Sequence, residues 1–486
     1  MEVTTAQVIP NKMRIRNRAD LISEQAVTFC FFALIMLSAI TVLVILLDLN
    51  KPKHYSMLFL LPAAYIIMLF INIGKFRSLL LNYGTVLILL LEFIKLVVSP
   101  LFLVMSNYSE VIELNTAQNT PKAILLLAYE AVAIAAAFRL PSKKREQSRA
   151  TSSGYRNGMK RLHAVMLVYT VILAAMIIIS PDVFLSHRTF IGVFTDKKFT
   201  HLTLDSVVDN FVGSEFQRYV LMLSRFFLLP YRLLLPAYLI ICIKYYKRFK
   251  HGKVWSFILS FTPFLFVNDV IAQSVYFTLF LLFLTIYLYN INYKVTLAVF
   301  IAAAAMVVVY FIGRYAVNVT ADSDFLDDMS RRLIAYFSGL NITSGVFNQP
   351  IDLPNKFQYF LYDFLTAIPF NKTLLGLDQS ISTASLFNSV NSVYGQIPTT
   401  IGMSFYYLGP VFAPTYSFVL AFAAKRFGEK LKAETIPLYY VVYLYMLFIL
   451  ALGICMYNIE IACNTIVQVI LPIFIITKLC FKRKKR

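Results

Sequence analysis

Charge is scarce in this chain of 486 residues: 14% are Asp, Glu, Lys or Arg, against 59% hydrophobic. A soluble chain carries about 25% charged residues, so a water-exposed globular fold is excluded. Histidine and cysteine are also few, five of each. Cys30, Cys242, Cys455, Cys463 and Cys480 all lie in or beside apolar stretches, which leaves no disulfide framework and no zinc-ligand spacing. Ser-His-Asp order, a P-loop and a dinucleotide glycine motif are absent too.

What fills the chain instead is Phe (43 residues), Tyr (30) and long apolar runs, with a mean hydropathy of +0.70. Runs long enough to cross a bilayer fall near 24–48, 55–73, 79–106, 122–139, 162–185, 218–243, 254–270, 274–291, 295–316, 397–424, 436–457 and 460–480. The first is long and lacks a small-residue cleavage motif, so no cleavable signal peptide is expected. With the N-terminus inside, 30 of the 45 basic residues fall in cytoplasmic segments and 12 on the outer side. The expectation is an all-α polytopic membrane protein, one integral domain over 1–486. It has about twelve transmembrane helices, N-in and C-in, with a large, partly helical extracytoplasmic loop between helices 9 and 10. The net charge of +20 is then an orientation signal. The basic stretch 139–161 reads as a cytoplasmic loop touching anionic lipid, and no nucleic-acid partner is expected.

Two outer segments are long, 186–217 and 317–395. "SDFLDDMSRRLIAYFSG" (323–339) places Phe325, Met329, Leu333 and Tyr336 on one helical stripe, with Ser323 as cap and Gly339 after the last turn. "PNKFQYFLYDFLTAIPF" (354–370) is a second amphipathic helix, too short to span, with Phe357, Phe360, Leu361 and Phe364 on its apolar side. The Ser- and Asn-rich 376–396 reads as an exposed polar loop. The tenth run, "GQIPTTIGMSFYYLGPVFAP" (395–414), should be bent and wet at its outer end. Four sequons, at Asn107, Asn318, Asn341 and Asn371, carry no weight in so Asn-rich a chain.

Arg218, Arg225 and Arg232 recur every seven residues in the sixth run, so they share a helix face. Arg225 would lie about 10 Å and Arg232 about 20 Å below Arg218, with Pro230 and Pro236 kinking or breaking the lower half. One reading makes Arg218 an interface anchor, pairs Arg225 with Glu92 or Glu130, and lets Arg232 snorkel inward. The other has Arg218 and Arg225 face an outer cavity and bind a phosphate or pyrophosphate, which suits the planar guanidinium fork. Arg331 and Arg332 either pair with Asp327 and Asp328 or join that basic set, as do Arg314 and Arg188. His187 is a bystander or a base at neutral pH. Glu92 and Lys95, three apart, read as an intramembrane ion pair, and tyrosines and amides such as Tyr406 would suit a sugar.

This arrangement resembles the bacterial Wzy-type oligosaccharide repeat-unit polymerases of O-antigen and capsule assembly. The resemblance rests on many spans with a large late outer loop and on an Arg-rich helix running into Gly and Phe, "RRLIAYFSGLNITSGVFN" (331–348). An Asn and a Tyr, Asn391 and Tyr394, then lead into a Gly-rich span, "NSVYGQIPTTIGMSFYYLG" (391–409). It covers roughly 180–425, and the Gly-spaced loop arginine motif of some members is absent. The resemblance implies a GT-C-like integral membrane glycosyltransferase of the bacterial cytoplasmic membrane, without metal or cofactor. It would act on a polyprenyl-pyrophosphate-linked oligosaccharide, among membrane lipid, beside a flippase and a chain-length regulator. The catalytic set would be Arg225, Arg331, Arg332 and His187. Substrate contacts would come from Arg218, Arg188, Arg314, Asp324, Tyr336, Asn391, Tyr394 and Tyr406, with Asp324 an alternative base. Two rivals stay open: a lipid-linked oligosaccharide flippase or transporter, and an O-antigen ligase, which differs mainly in its acceptor.

Overall fold

Uninterrupted Leu, Ile, Phe and Ala leave a backbone in lipid one way to satisfy its own polar groups within a segment, the α-helix. The structure, a computed structural model, describes residues 24–108, 117–141, 152–180, 213–246, 325–334, 337, 339–348, 356–368, 382–393, 396–434, 436–455 and 458–481. These form α1 (Glu24–Leu47), α2 (Leu60–Ile71), α3 (Tyr83–Met105), α4 (Thr120–Arg139), α5 (Ser152–Ile179), α6 (Glu215–Tyr246) and α7 (Phe325–Leu333). There follow α8 (Leu340–Val346), α9 (Lys356–Leu365), α10 (Thr383–Val390), α11 (Thr400–Phe412), α12 (Thr415–Ala433), α13 (Pro437–Cys455) and α14 (Ile459–Cys480). No strand occurs among the described residues.

Among the described residues eight helices are long and apolar enough to cross a membrane, and the bent pair α11–α12 makes up to nine. They account for every apolar run on the described residues; the runs at 254–270, 274–291 and 295–316 lie outside them. Hydrogen bonds join helix ends that alternate crossing puts on the same side. At one side Lys75 Nζ donates to Arg139 O (2.8 Å), Asn82 Nδ2 to Lys425 O (3.0 Å) and Arg161 to Leu479 O (3.3 Å). At the other, Tyr108 donates to Asp48 (2.5 Å), Gln217 Nε2 to Ile179 O (3.1 Å) and Asn119 Nδ2 to Asn348 Oδ1 (2.8 Å).

α13 is the central helix, buried along its length apart from Met446, while α1 turns Phe29 and Leu47 outward. Small residues let α3 and α12 approach closely: a Cβ on Gly84 would stand 2.3 Å from Ala424 O. Deep among α3, α4, α12 and α13 lies an ion cluster. Lys95 Nζ is 2.5 Å from Glu130 Oε2 and 3.7 Å from Glu92 Oε1. The Glu92–Lys95 pair is present as the spacing suggested, but its shorter contact is to Glu130, which sequence distance concealed. Glu130 is thus engaged by Lys95, and Ser417 donates to its other oxygen.

Three expectations change. α6 runs through Pro230 and Pro236 as one helix of 32 residues, so neither proline breaks it. The tenth run is bent, as expected, but into two helices: Gly409 (φ 74°, ψ 179°) and Pro410 precede a turn of 107° between α11 and α12, the geometry of a broken span or a re-entrant pair. The contacts Ser417–Glu130 and Lys425–Phe138 keep α12 parallel to α4, so α11 lies across the bundle, where Tyr129 donates to Val411 O (2.9 Å). Third, where 376–396 is described it holds a helix. Ser382 caps α10 by accepting from Ser385 N, and Phe387 is fully buried.

Candidate functional site

Where the segment between the ninth and tenth runs is described, its helices are folded onto the spans. α7 packs on the C-terminal end of α3, α8 on α4 and α11, and α9 on α14 and α11. All seven residues of α8 are buried. Its entry turns on Gly339, at φ 56°, a left-handed conformation that glycine adopts without strain. A Cβ there would also stand 2.5 Å from the Thr399 side chain.

Asn391 and Tyr406 are brought together at the end of α8. Asn391 Nδ2 donates to Gly345 O (3.3 Å) and to Phe387 O (2.9 Å), and the Tyr406 hydroxyl donates to Val346 O (2.8 Å). From Asn391 a ladder of amides runs to the start of α4. Asn348 Nδ2 donates to Asn391 Oδ1 and Asn119 Nδ2 to Asn348 Oδ1, both at 2.8 Å, and Lys122 Nζ donates to Asn119 Oδ1 (3.3 Å). Lys122 also stands 5.8 Å over the Phe347 ring, which meets Phe405 edge-on. The ladder is partly open, so amides, a cation and an aromatic ring converge at one rim. Tyr406 is buried with its hydroxyl engaged, so it clamps α8 to α11. Asn341, a sequon residue, is buried in α8 with neither amide atom bonded.

Among the described residues no arginine joins this ladder. Arg331 is exposed on α7, and no ion pair to Asp327 forms among the described residues. Arg218 is exposed one turn into α6, and no carboxylate pairs with it among the described residues. Arg225 and Arg332 lie on α6 and α7, but their side chains fall outside the described residues, as do His187, Arg188, Arg314, Asp324, Tyr336 and Tyr394. Among the described residues no group of three His, Cys, Asp or Glu could hold a metal ion.

A second constellation escaped the sequence reading. On α9, Phe357 (69% exposed) and Leu361 face outward, whereas Tyr362 and Asp363 are buried. The apolar residues Phe357 and Leu361 thus take the exposed face, and the acid is turned inward. Asp363 accepts from Thr383 N (3.1 Å) and Thr383 Oγ1 (2.5 Å), and Tyr407 donates to it as well. One carboxylate so ties α9 to the first turn of α10 and to α11. Burial pushes the Asp363 carboxyl above its ordinary range, against the hydrogen bonds from Thr383 and Tyr407 that favour its ionised form. A lone acid in "FQYFLYDFL" was the available signal, because an acid there must find donors or leave the interior.

No protein-family model, curated protein or solved structure matches the chain.

Proposed function

We propose that the protein polymerises polyprenyl-pyrophosphate-linked oligosaccharide repeat units at the outer face of the bacterial cytoplasmic membrane. The observation that carries this reading is the segment between the ninth and tenth runs, whose described helices pack onto the spans and bring amides, Lys122 and Phe347 to one rim. A lipid-linked glycan presents its sugars just above the bilayer and its pyrophosphate at the bilayer surface, so an enzyme acting on it needs this kind of outer platform. A flippase or transporter has less use for one.

In the proposed reaction the anomeric C–O bond to pyrophosphate breaks and the electron pair leaves with the pyrophosphate. An acceptor hydroxyl forms the new C–O bond and gives its proton to a base, for which His187 and Asp324 are the proposals. The developing charge calls for fixed cations. Arg218 and Arg331, exposed and without carboxylate partners among the described residues, are suited to that, with Arg225 and Arg332 beside them on the same helices.

Deleting the gene tests the reading: surface glycan should be reduced to single repeat units. Lipid-linked units trapped on the cytoplasmic side would favour the flippase. Polymer that accumulates on its carrier without transfer would favour the ligase. Arg225→Lys keeps the charge and loses the fork, so unchanged chain length at normal expression removes Arg225 from the pyrophosphate role.

A further inference from the structure

The Glu92–Lys95–Glu130 cluster is sealed from solvent, at 0%, 1% and 0% exposure. Two carboxyls share one ammonium, so ionising both leaves one uncompensated negative charge in the core. The two acids are bonded differently. Glu130 has both oxygens occupied, by Lys95 at 2.5 Å and by Ser417. Glu92 Oε1 takes Cys455 Sγ at 3.2 Å and the longer contact to Lys95, and its Oε2 is buried with no partner. A bare charged oxygen in such a place is costly, and a neutral carboxyl is much less so. A separate feature marks the same point: α3 widens into a π-turn over Ile94–Val98, which carries Lys95. Such turns recur at functional sites because they shift side chains relative to the regular helix. The groups facing Glu92 are Lys95, Glu130, Cys455 and the Tyr65 phenol, whose hydroxyl donates to Leu89 O.

We propose that Glu92 is an exchangeable proton-binding site in the transmembrane core, its proton making the cluster neutral beside a charged Lys95–Glu130 pair. The proton adds to the carboxylate oxygen as an O–H bond, and nothing else is made or broken. This site is independent of the outer-face reaction.

Infrared spectra of the full-length protein in lipid at neutral pH test it through the carbonyl stretch of a protonated carboxyl. That band should be absent in Glu92→Gln, and Lys95→Met should gain a second one as Glu130 also takes a proton. Cys455→Ala and Ser417→Ala keep all three ionisable groups and assign the site. The band should shift with Cys455→Ala and hold with Ser417→Ala, and it should move on transfer to heavy water. Spectra of Glu92→Gln that match the parent overturn the proposal. So does a band that follows Ser417, which would put the proton on Glu130, or one that never exchanges.

Discussion

Tyr406 and Asp363 are both buried polar groups, yet they answer to different physics. Removing the Tyr406 hydroxyl leaves Val346 O without its donor in a closed site. Tyr406→Phe should therefore lower stability by about 1–2 kcal/mol in thermal unfolding, with glycan chain length unchanged. Shortened chains from a fully stable variant would make Tyr406 a sugar contact instead. Asp363 is a question of linkage. Its folded-state affinity for the proton is raised above the unfolded value, so the stability this group contributes is fully present below the unfolded pKa, about 3.9. It is lost as pH rises through the raised folded value. Asp363→Asn should flatten that decline when unfolding is followed from acid to neutral pH, and an unaltered slope would assign the decline to another group.

The breaks and caps of the helices decide where the outer site stands. Gly409 has nothing within 4 Å of a built Cβ, so a larger residue there meets no steric wall. Its φ of 74° with ψ of 179° is nonetheless a region that only glycine occupies readily. Gly409→Ala should destabilise by about 1–3 kcal/mol through backbone strain alone. A neutral result in thermal unfolding would mean that the turn between α11 and α12 can be made another way. Elements with strong periodicity were legible: the stripes at 323–339 and 354–370 appear as α7 and α9. α10 was not, because it is short and its single buried apolar side chain, Phe387, sets up no period. Asp363 was illegible as a site member, and Glu130, named only as a partner for Arg225, was illegible as the partner of Lys95, for a related reason. Their partners, Thr383 and Lys95, are distant in sequence, and periodicity reports only on neighbours a turn or two away.

At the scale of the whole molecule, the distribution of Lys and Arg and the pairing of helix ends are independent constraints on one arrangement. Charge bias says which side is cytoplasmic. Bonds such as Lys75–Arg139 and Asn119–Asn348 say which ends share a side. Together they predict Ser392, exposed beside Asn391, on the outer side, and Lys160, exposed near the start of α5, on the inner side. A cysteine at Ser392 should react with a membrane-impermeant maleimide in cells with permeabilised outer layers and an intact cytoplasmic membrane. A cysteine at Lys160 should react only after that membrane is opened, each above the background of the native thiols. The reverse pattern would put the amide ladder in the cytoplasm. A polymerase acting at the outer leaflet could not then use that rim, whatever the arginines do.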